Sequence, residues 1–458
     1  MSLIQERIYK SLPNVLQNGL VTFFDYIQYK KRHSGVYGQF LAEYKNAKSL
    51  NIEELIFLQK ECLIEFLNYA KHSSTYYKNL LNDFPFNQDV FQAYKTIPIQ
   101  SKEDIRENLG RIFTISKKKA ILSKTGGTTG KSMEVRFRPD DMQKRFAILD
   151  AWRESFGYKL GDKVAWFSGK SLLTDKDVKA NKYWKYDFLY KIRYYSTFHI
   201  HDNSIRHYID DLNNFKPLFA IGFPSSMYEI AKWGLKNNFP LKYKMETLFP
   251  TAETIIDEER RVLETFFGGR VVNQYASSEG APFILECKKG KLHLEMLSGF
   301  FEVLDEQGLP AQSGELVFTS FSTHGTPLIR YAIKDRIVLS DEICDCGNHN
   351  PVVKSIEGRV NDFIYSKERG KINLGNISNC IKYVKGVIKF QIIQNQEDAV
   401  LVLVVKSSEY SLNDEKMFRH ELVQRLGEKV DIKFQYVSDI PRESSGKYRI
   451  VKNNLKLA

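Results

Sequence analysis

What this chain lacks narrows it first. No apolar leader opens it: Glu6, Arg7 and Lys10 interrupt the first residues, whereas a secretory signal needs an unbroken apolar stretch. No apolar run reaches the ~18 residues of a membrane span; the β-branched run Ala399 to Val405 reads as a short core strand. Cysteine is scarce, at 5 of 458 residues. Without an export signal, so few thiols argue against a disulfide framework and for free or metal-bound cysteines in a cytoplasmic protein. Internal repeats and low-complexity segments are missing too. Core-forming residues are plentiful: 43% are hydrophobic and 13% aromatic, which excludes disorder. The length allows a large core and more than one domain.

The formal net charge is +12. Its lysines are spread along the whole chain, and the densest runs, such as Lys117-Lys118-Lys119, are short. That distribution reads as a solvated basic surface, not a nucleic-acid track.

Along the chain, residues 1 to about 100 read as mostly helical, with apolar residues at helical spacing from Ile52 to Tyr69. In "TIPIQSKEDIREN", Pro98 breaks the chain, Ser101 can N-cap, and Glu103 and Asp104 sit where the helix dipole favours acids. From about 120 to 340, β-branched runs such as "KVAWFSG", "PLFAIGFP", "ETLFPTAE" and "GRVVNQYASSEG" alternate with helical stretches. That alternation implies parallel α/β layers, with ligands at the carboxyl ends of the strands. Residues 284 to 340 read as more antiparallel. Beyond a hinge placed at Gly358 to Asp362, about a hundred residues have the size of a small α+β domain.

One stretch, "ILSKTGGTTGKSMEV", has the composition of a phosphate cradle. It fails the Walker pattern by one position, because residue 125 is threonine where the opening glycine belongs. "MEVRFRP" reads as a second strand, so a hairpin is expected in place of a loop that opens a helix. Its glycines and hydroxyls could wrap phosphates, or simply make a turn.

The clusters "SKTGGTTGKS", "TAETIIDEERR", "QYASSEG", "PLIRYAIKD", "EGRVND" and "PRESSGKYR" follow one another in order. This series resembles the core motifs of the acyl-adenylate-forming ligases, in the branch of the phenylacetate–coenzyme A ligases and the CapK-like proteins of capsule-polysaccharide loci. The resemblance covers about residue 95 to 458. It implies an α/β fold: a large N-terminal adenylate-forming domain with layered α/β sheets over residues 1–357, and a small mobile α+β C-terminal lid over residues 358–458. It also implies ATP, Mg²⁺ and a two-step reaction. A carboxylate attacks the α-phosphate of ATP to give acyl-AMP and pyrophosphate, and an acceptor then takes the acyl group.

Roles carry over position by position. Ser123, Thr125, Gly126, Thr128, Thr129, Gly130 and Lys131 are similar to the family's phosphate loop. Ala252 and Glu253 would border adenine and the acyl pocket, with threonine replacing the family's first glycine and its proline in "TAET". Tyr275 would stack on adenine, Ser278 approach the α-phosphate, and Glu279 bind Mg²⁺. Asp335 would accept both ribose hydroxyls. Ala332, Ile333 and Lys334 stand where the family has arginine, threonine and glycine. Arg359 would sit near ribose and phosphate. Asn361 replaces the hinge aspartate and still tolerates unusual backbone angles. Lys447 takes the place of the catalytic lysine. The acyl pocket is expected to use Phe223, Pro224, Ala252 and Tyr275, which end strand-like runs on the ligand side.

Cys287, His293, Cys344 and Cys346 fall in turn-rich segments. Three thiolates and an imidazole make a common structural zinc set, although C-x-C is tighter than usual and free buried thiols stay open. Their spacing is similar to a zinc-bearing subset of the branch. Cys62 and Cys380 read as core residues, and His199, His201 and His349 as solvent-facing or hydrogen-bonded. The expected partners are a carboxylic acid and an acyl acceptor: coenzyme A, an amino sugar or a carrier protein. No strong coenzyme A signature is present. Neither nucleic acid nor a membrane span is expected, and a homodimer is one assembly open to the chain. A nucleotide-binding relative without catalysis is the rival reading that the departures at 332–334 and 361 keep open.

Overall fold

The computed structural model describes residues 9–455 except 125–132, 169, 171, 198, 201, 254, 360–362, 368–369, 374–376, 378, 382–383 and 442–448. The chain divides into two compact units. The larger holds residues 1–312, 316–333 and 339–354; the smaller holds 313–315, 334–338 and 355–458.

The larger unit begins with helices Asn14–His33, Tyr37–Ala47, Ile52–Ser73, Thr75–Leu80, Val90–Tyr94 and Lys102–Ile112, as the helical periodicity requires. Ser101 caps the last of these, in a reciprocal pair with Asp104 that satisfies two backbone N–H groups. Strands Ile121–Lys124 and Glu134–Phe137 pair antiparallel, with Ser123 opposite Val135. The strands on either side of residues 125–132 therefore pair with each other, as the second strand-like run implied.

A six-stranded sheet forms the centre of this unit. Its order is Trp184–Asp187, Ile192–Ser196, Val164–Ser168, Phe219–Gly222, Thr247–Pro250, Arg270–Val271. Every neighbouring pair is parallel except the first, which is a hairpin. Parallel strands need crossovers, and helices Asp202–Phe215, Pro224–Lys236 and Asp257–Phe267 supply them. Side chains alternate between the two faces of the sheet. Ala165, Phe167, Ala220 and Leu248 pack with Tyr208, Ile230 and Phe267 from those helices. Val164, Phe219, Ile221 and Phe249 pack on the other face with Tyr44, Ile148 and Trp152, which come from helices Tyr37–Ala47 and Pro139–Glu154. Both faces are covered, so the central strands Phe219–Gly222 and Thr247–Pro250 are buried throughout.

A seven-stranded sheet follows, ordered Gly299–Leu304, Ser313–Ser320, Tyr331–Ser340, Val352–Arg359, Leu292–Leu294, Ile284–Glu286, Gln274–Tyr275. The run 269–280, which read as one strand-like stretch, thus gives two short strands in different sheets, Arg270–Val271 and Gln274–Tyr275. The Glu286 carboxylate accepts from the Asn273 backbone N–H at 2.8 Å and fixes the crossing.

The smaller unit has its own core. Strands Asp431–Tyr436, Ala399–Lys406, Val387–Gln396 and Val451–Asn453 form one sheet, with a central antiparallel pair and parallel flanks. Val400, Val402 and Val404 pack on Phe418, Leu422 and Leu426 of helix Leu412–Leu426. Cys380 is fully buried in the same core, as its apolar surroundings implied, whereas Cys62 is half-buried.

Candidate functional site

The carboxyl ends of the parallel strands are joined by backbone hydrogen bonds. The Phe223 N–H donates to the Phe167 carbonyl at 3.0 Å, and the Thr251 N–H to the Gly222 carbonyl at 2.9 Å. Gln274 Nε2 donates to the Pro250 carbonyl at 3.2 Å, so strand Gln274–Tyr275 starts beside the end of Thr247–Pro250. Gly222 makes this approach possible. A Cβ there would lie 1.9 Å from the Phe167 carbonyl oxygen, a contact no side chain can make.

Four expected pocket residues leave these strand ends together. Phe223 is buried and precedes helix Pro224–Lys236, which Pro224 opens with its pre-set φ. Ala252 has φ +67°, a left-handed conformation that costs a non-glycine residue about 1 kcal/mol. Its neighbour Glu253 accepts a hydrogen bond from the Ser225 N–H at 3.1 Å, near the start of that helix, and anchors the strained turn. Tyr275 is half-buried. His199 is hydrogen-bonded, with Nδ1 2.7 Å from Ser196 Oγ; His349 is exposed, and His201 lies outside the described residues.

Beyond Tyr275 the chain turns tightly. Ser278 is exposed, while Glu279 is buried, at 3% exposure. The Oε2 oxygen of Glu279 is also buried and has no hydrogen-bond partner among the described residues. An orphaned buried carboxylate oxygen is costly. A cation that arrives with a ligand would satisfy it. The loop is held from below by Arg145, which sequence reading passed over. Its Nη1 donates to the carbonyls of Gly280 and Ala281 at 2.9 and 3.1 Å and to Ser322 Oγ at 3.2 Å. Burial lowers the Arg145 guanidinium to about 10, so it stays charged at neutral pH. Gly280 has φ +87°, and a Cβ there would strike Thr323 and Phe137 at 2.8 and 2.9 Å. The alternation of acids and bases in helix Pro139–Glu154 suggests a solvated helix, so nothing in the sequence marked Arg145. Only the helix register shows it turned inward.

In the glycine-rich stretch, Ser123 is half-buried; Thr125, Gly126, Thr128, Thr129, Gly130 and Lys131 lie outside the described residues, as does Lys447. Arg359 ends strand Val352–Arg359, and its side chain is likewise outside them. Asp335 belongs to the smaller unit, on strand Tyr331–Ser340, and is 7% exposed. Beside it, Lys334 has φ +68°. The lysine standing where the resemblance places glycine thus adopts a conformation that glycine takes without strain. Glu315 holds it there, accepting from its backbone N–H at 3.2 Å and from Nζ at 3.1 Å.

The cysteine and histidine cluster forms on two turns of the larger unit. Strands Ile284–Glu286 and Leu292–Leu294 pair antiparallel and place Cys287 at the start of their tight turn. His293 pairs with Val352, which brings the turn carrying Cys344 and Cys346 alongside. Ligand atoms of Cys287, His293, Cys344 and Cys346 all lie within 4.8 Å of one another. The Cys287 and Cys344 sulfurs are 3.8 Å apart, and Cys346 Sγ lies 3.5 Å from His293 Nε2. Zinc bonds of about 2.3 Å to sulfur and about 2.0 Å to nitrogen set tetrahedral edges of roughly 3.8 and 3.5 Å. His293 Nδ1 is 2.9 Å from the Asn350 carbonyl. A carbonyl only accepts, so Nδ1 carries the proton and Nε2 presents its lone pair to the sulfurs. Burial holds the His293 pKa below its usual value, which keeps that lone pair available.

Comparison with known proteins gives an independent reading. Residues 364–454 match the family model described as the CapK C-terminal domain. The chain is 34% identical over 454 residues to Protein CapK of Staphylococcus aureus, covering 98% of this chain and 99% of that one. It is 23% identical over 331 residues to a phenylacetate–coenzyme A ligase of Thermus thermophilus, covering 69% and 73%. Among solved structures, a 2-hydroxyisobutyryl-CoA ligase in its postadenylation state aligns with a TM-score of 0.69 at 18% identity, covering 89% of this chain and 91% of that one. At that identity the structural likeness speaks for the fold alone.

Proposed function

Because the chain belongs to the CapK-like branch of the AMP-forming ligase family, we propose that it activates a carboxylic acid as acyl-AMP, with release of pyrophosphate, and passes the acyl group to coenzyme A. The observation that carries this reading is Glu279. It is a buried carboxylate with an oxygen left unpartnered among the described residues, on a loop held by a buried arginine beside the strand ends.

The chemistry brings one anion onto another and expels a third, so charge must be supplied where it develops. Glu279 would hold the magnesium ion that ATP brings, and that ion, when bound, supplies positive charge to the phosphate oxygens. Arg145 fixes the loop so that the carboxylate needs no rearrangement. Ser278 would donate to the α-phosphate, and Tyr275 would take adenine on its face. Asp335 would accept from the ribose hydroxyls, with Arg359 near ribose and phosphate. Residues Ser123 to Lys131 would cradle the departing pyrophosphate. Ala252 and Glu253 would form the wall between adenine and acid, and Phe223 and Pro224 the apolar end of the acyl pocket. Lys447 would place its ammonium between carboxylate and α-phosphate during adenylation. Cys287, His293, Cys344 and Cys346 would hold a structural zinc ion that ties the 287–291 turn to the 341–350 turn, a set supported by the tetrahedral edge lengths.

A second acceptor class stands beside coenzyme A in this proposal. In capsule or surface-polysaccharide biosynthesis the acyl group would pass to an amino sugar or a carrier protein, giving an amide where the acceptor is an amine. ATP–pyrophosphate exchange across a panel of carboxylic acids tests the first step. Acid-dependent exchange that Glu279→Gln lowers by about 10²–10³ is expected. ATP binding without exchange for any acid would instead identify a nucleotide-binding relative that lacks catalysis. Incubating the responding acid with coenzyme A and with amino sugars then separates the acceptors.

A further inference from the structure

Helix Asn14–His33 is built inside out. A helix on a protein surface normally turns apolar side chains inward and polar ones to water. Here Gln17, Asn18 and Asp25 are buried beside a single apolar residue, Val21, while Val15, Leu16, Leu20, Phe23 and Phe24 are exposed, the two phenylalanines at 62% and 55%. Gln17 and Asn18 find partners within the fold, whereas the Oδ2 oxygen of Asp25 has none among the described residues. Gln17 Nε2 donates to the Tyr9 and Leu12 carbonyls at 3.1 and 3.0 Å, and Asn18 Oδ1 accepts from the Tyr186 N–H at 3.1 Å. Residues 16, 20, 23 and 24 are spaced to lie along one stripe of the helix. The neighbouring hairpin turn extends it. The Phe188 N–H donates to Thr22 Oγ1 at 3.0 Å, and Phe188 and Leu189 are each 52% exposed.

Charge selects what covers this face. The helix contains one acid, Asp25, and the hairpin contributes one, Asp187; both are buried. Lys30 and Lys31 are exposed in the last helical turn. The surface is therefore apolar, cationic at one end, and free of exposed carboxylates along helix and turn. The exposed apolar residues of helix Ile52–Ser73 make a contrast, since Ile52, Ile56 and Phe57 stand among exposed Glu53, Glu54 and Glu61. A second copy of the chain would bring the same lysines to the contact. An anionic lipid surface complements them, as does its apolar layer the phenylalanines. We propose that helix Asn14–His33 and the turn at 188–189 dock this protein on an anionic membrane. Leu20, Phe23, Phe24 and Phe188 would enter the interface, and Lys30 and Lys31 would reach the headgroup phosphates. The helix lies along such a surface; no helix among the described residues is long and apolar enough to cross one.

Co-sedimentation of the full chain with phosphatidylglycerol-containing vesicles and with pure phosphatidylcholine vesicles tests this. The wild type should partition onto the anionic vesicles and be released by salt. The double variant Phe23→Ser/Phe24→Ser should bind about ten-fold less or weaker still, and Lys30→Glu/Lys31→Glu should lose the preference for anionic lipid. Thermal melting checks that both variants fold, and the salt release of the wild type needs no variant. Absence of sedimentation, equal sedimentation with both vesicles, or a dimer that Phe23→Ser/Phe24→Ser dissociates while vesicles stay unbound would each overturn the proposal.

Discussion

Removing the Lys447 ammonium should separate two half-reactions. A flexible point charge that bridges carboxylate and phosphate acts mainly in the adenylation transition state. Lys447→Ala should therefore cut adenylation by about 10²–10³ and leave ATP affinity and transfer from preformed acyl-AMP nearly intact; single-turnover assays of each step check it. A second residue makes a pH prediction. Asp187 is fully buried, and burial together with nearby Asp25 raises its carboxyl to about 6. The folded state keeps a proton that the unfolded chain gives up near 3.9. Stability from that proton is thus complete below about pH 4 and lost as pH rises through about 6, a swing of roughly 3 kcal/mol. Asp187→Asn mimics the protonated group, so it should gain on the wild type from pH 4 to 7. Denaturant titrations at pH 4, 5 and 7 measure that difference. At this scale Phe223 and Ala252 were legible as residues just past strand ends, because short apolar runs mark the strands before them. Arg145, Asp25 and Asp187 were not, because a charged residue in sequence reads as solvated until packing turns it inward.

At the scale of elements, the caps and periodicities carried far. Ser101 with Asp104, the apolar spacing of Ile52–Ser73 and the buried strand Phe219–Gly222 are local patterns with local causes. Residues 270–275 were harder, because at their split between two sheets the Asn273 N–H bonds to Glu286, a residue of another strand. Helix Asn14–His33 was legible as a helix, but its polar inner face depends on partners more than 160 positions away, such as Tyr186. The two turns carrying Cys287, His293, Cys344 and Cys346 face each other only because His293 pairs with Val352. Cys344→Ser should accordingly lower zinc content, measured by elemental analysis at about one ion per chain for the wild type, and should lower thermal stability with it. A fully folded, metal-free wild type prepared without chelator would exclude the zinc set.

At the scale of the molecule, two separate hydrophobic cores predict stepwise unfolding. All four candidate zinc ligands belong to the larger unit. Chelation should shift the calorimetric transition of that unit to lower temperature and leave the transition of the smaller one in place. The joined strand ends carry a different kind of consequence. Two of the three bonds that join them run between main-chain groups, and Gly222 admits no side chain at all. The floor beneath the proposed acyl pocket is therefore nearly indifferent to which amino acids stand around it. If Phe223 and Ala252 wall that pocket, substitution there would recut it without rebuilding what they stand on, and one scaffold would be free to diversify toward acids of many shapes. Gly222 is the point where that freedom stops, and a library randomised across 219–225 should return glycine there in every active clone.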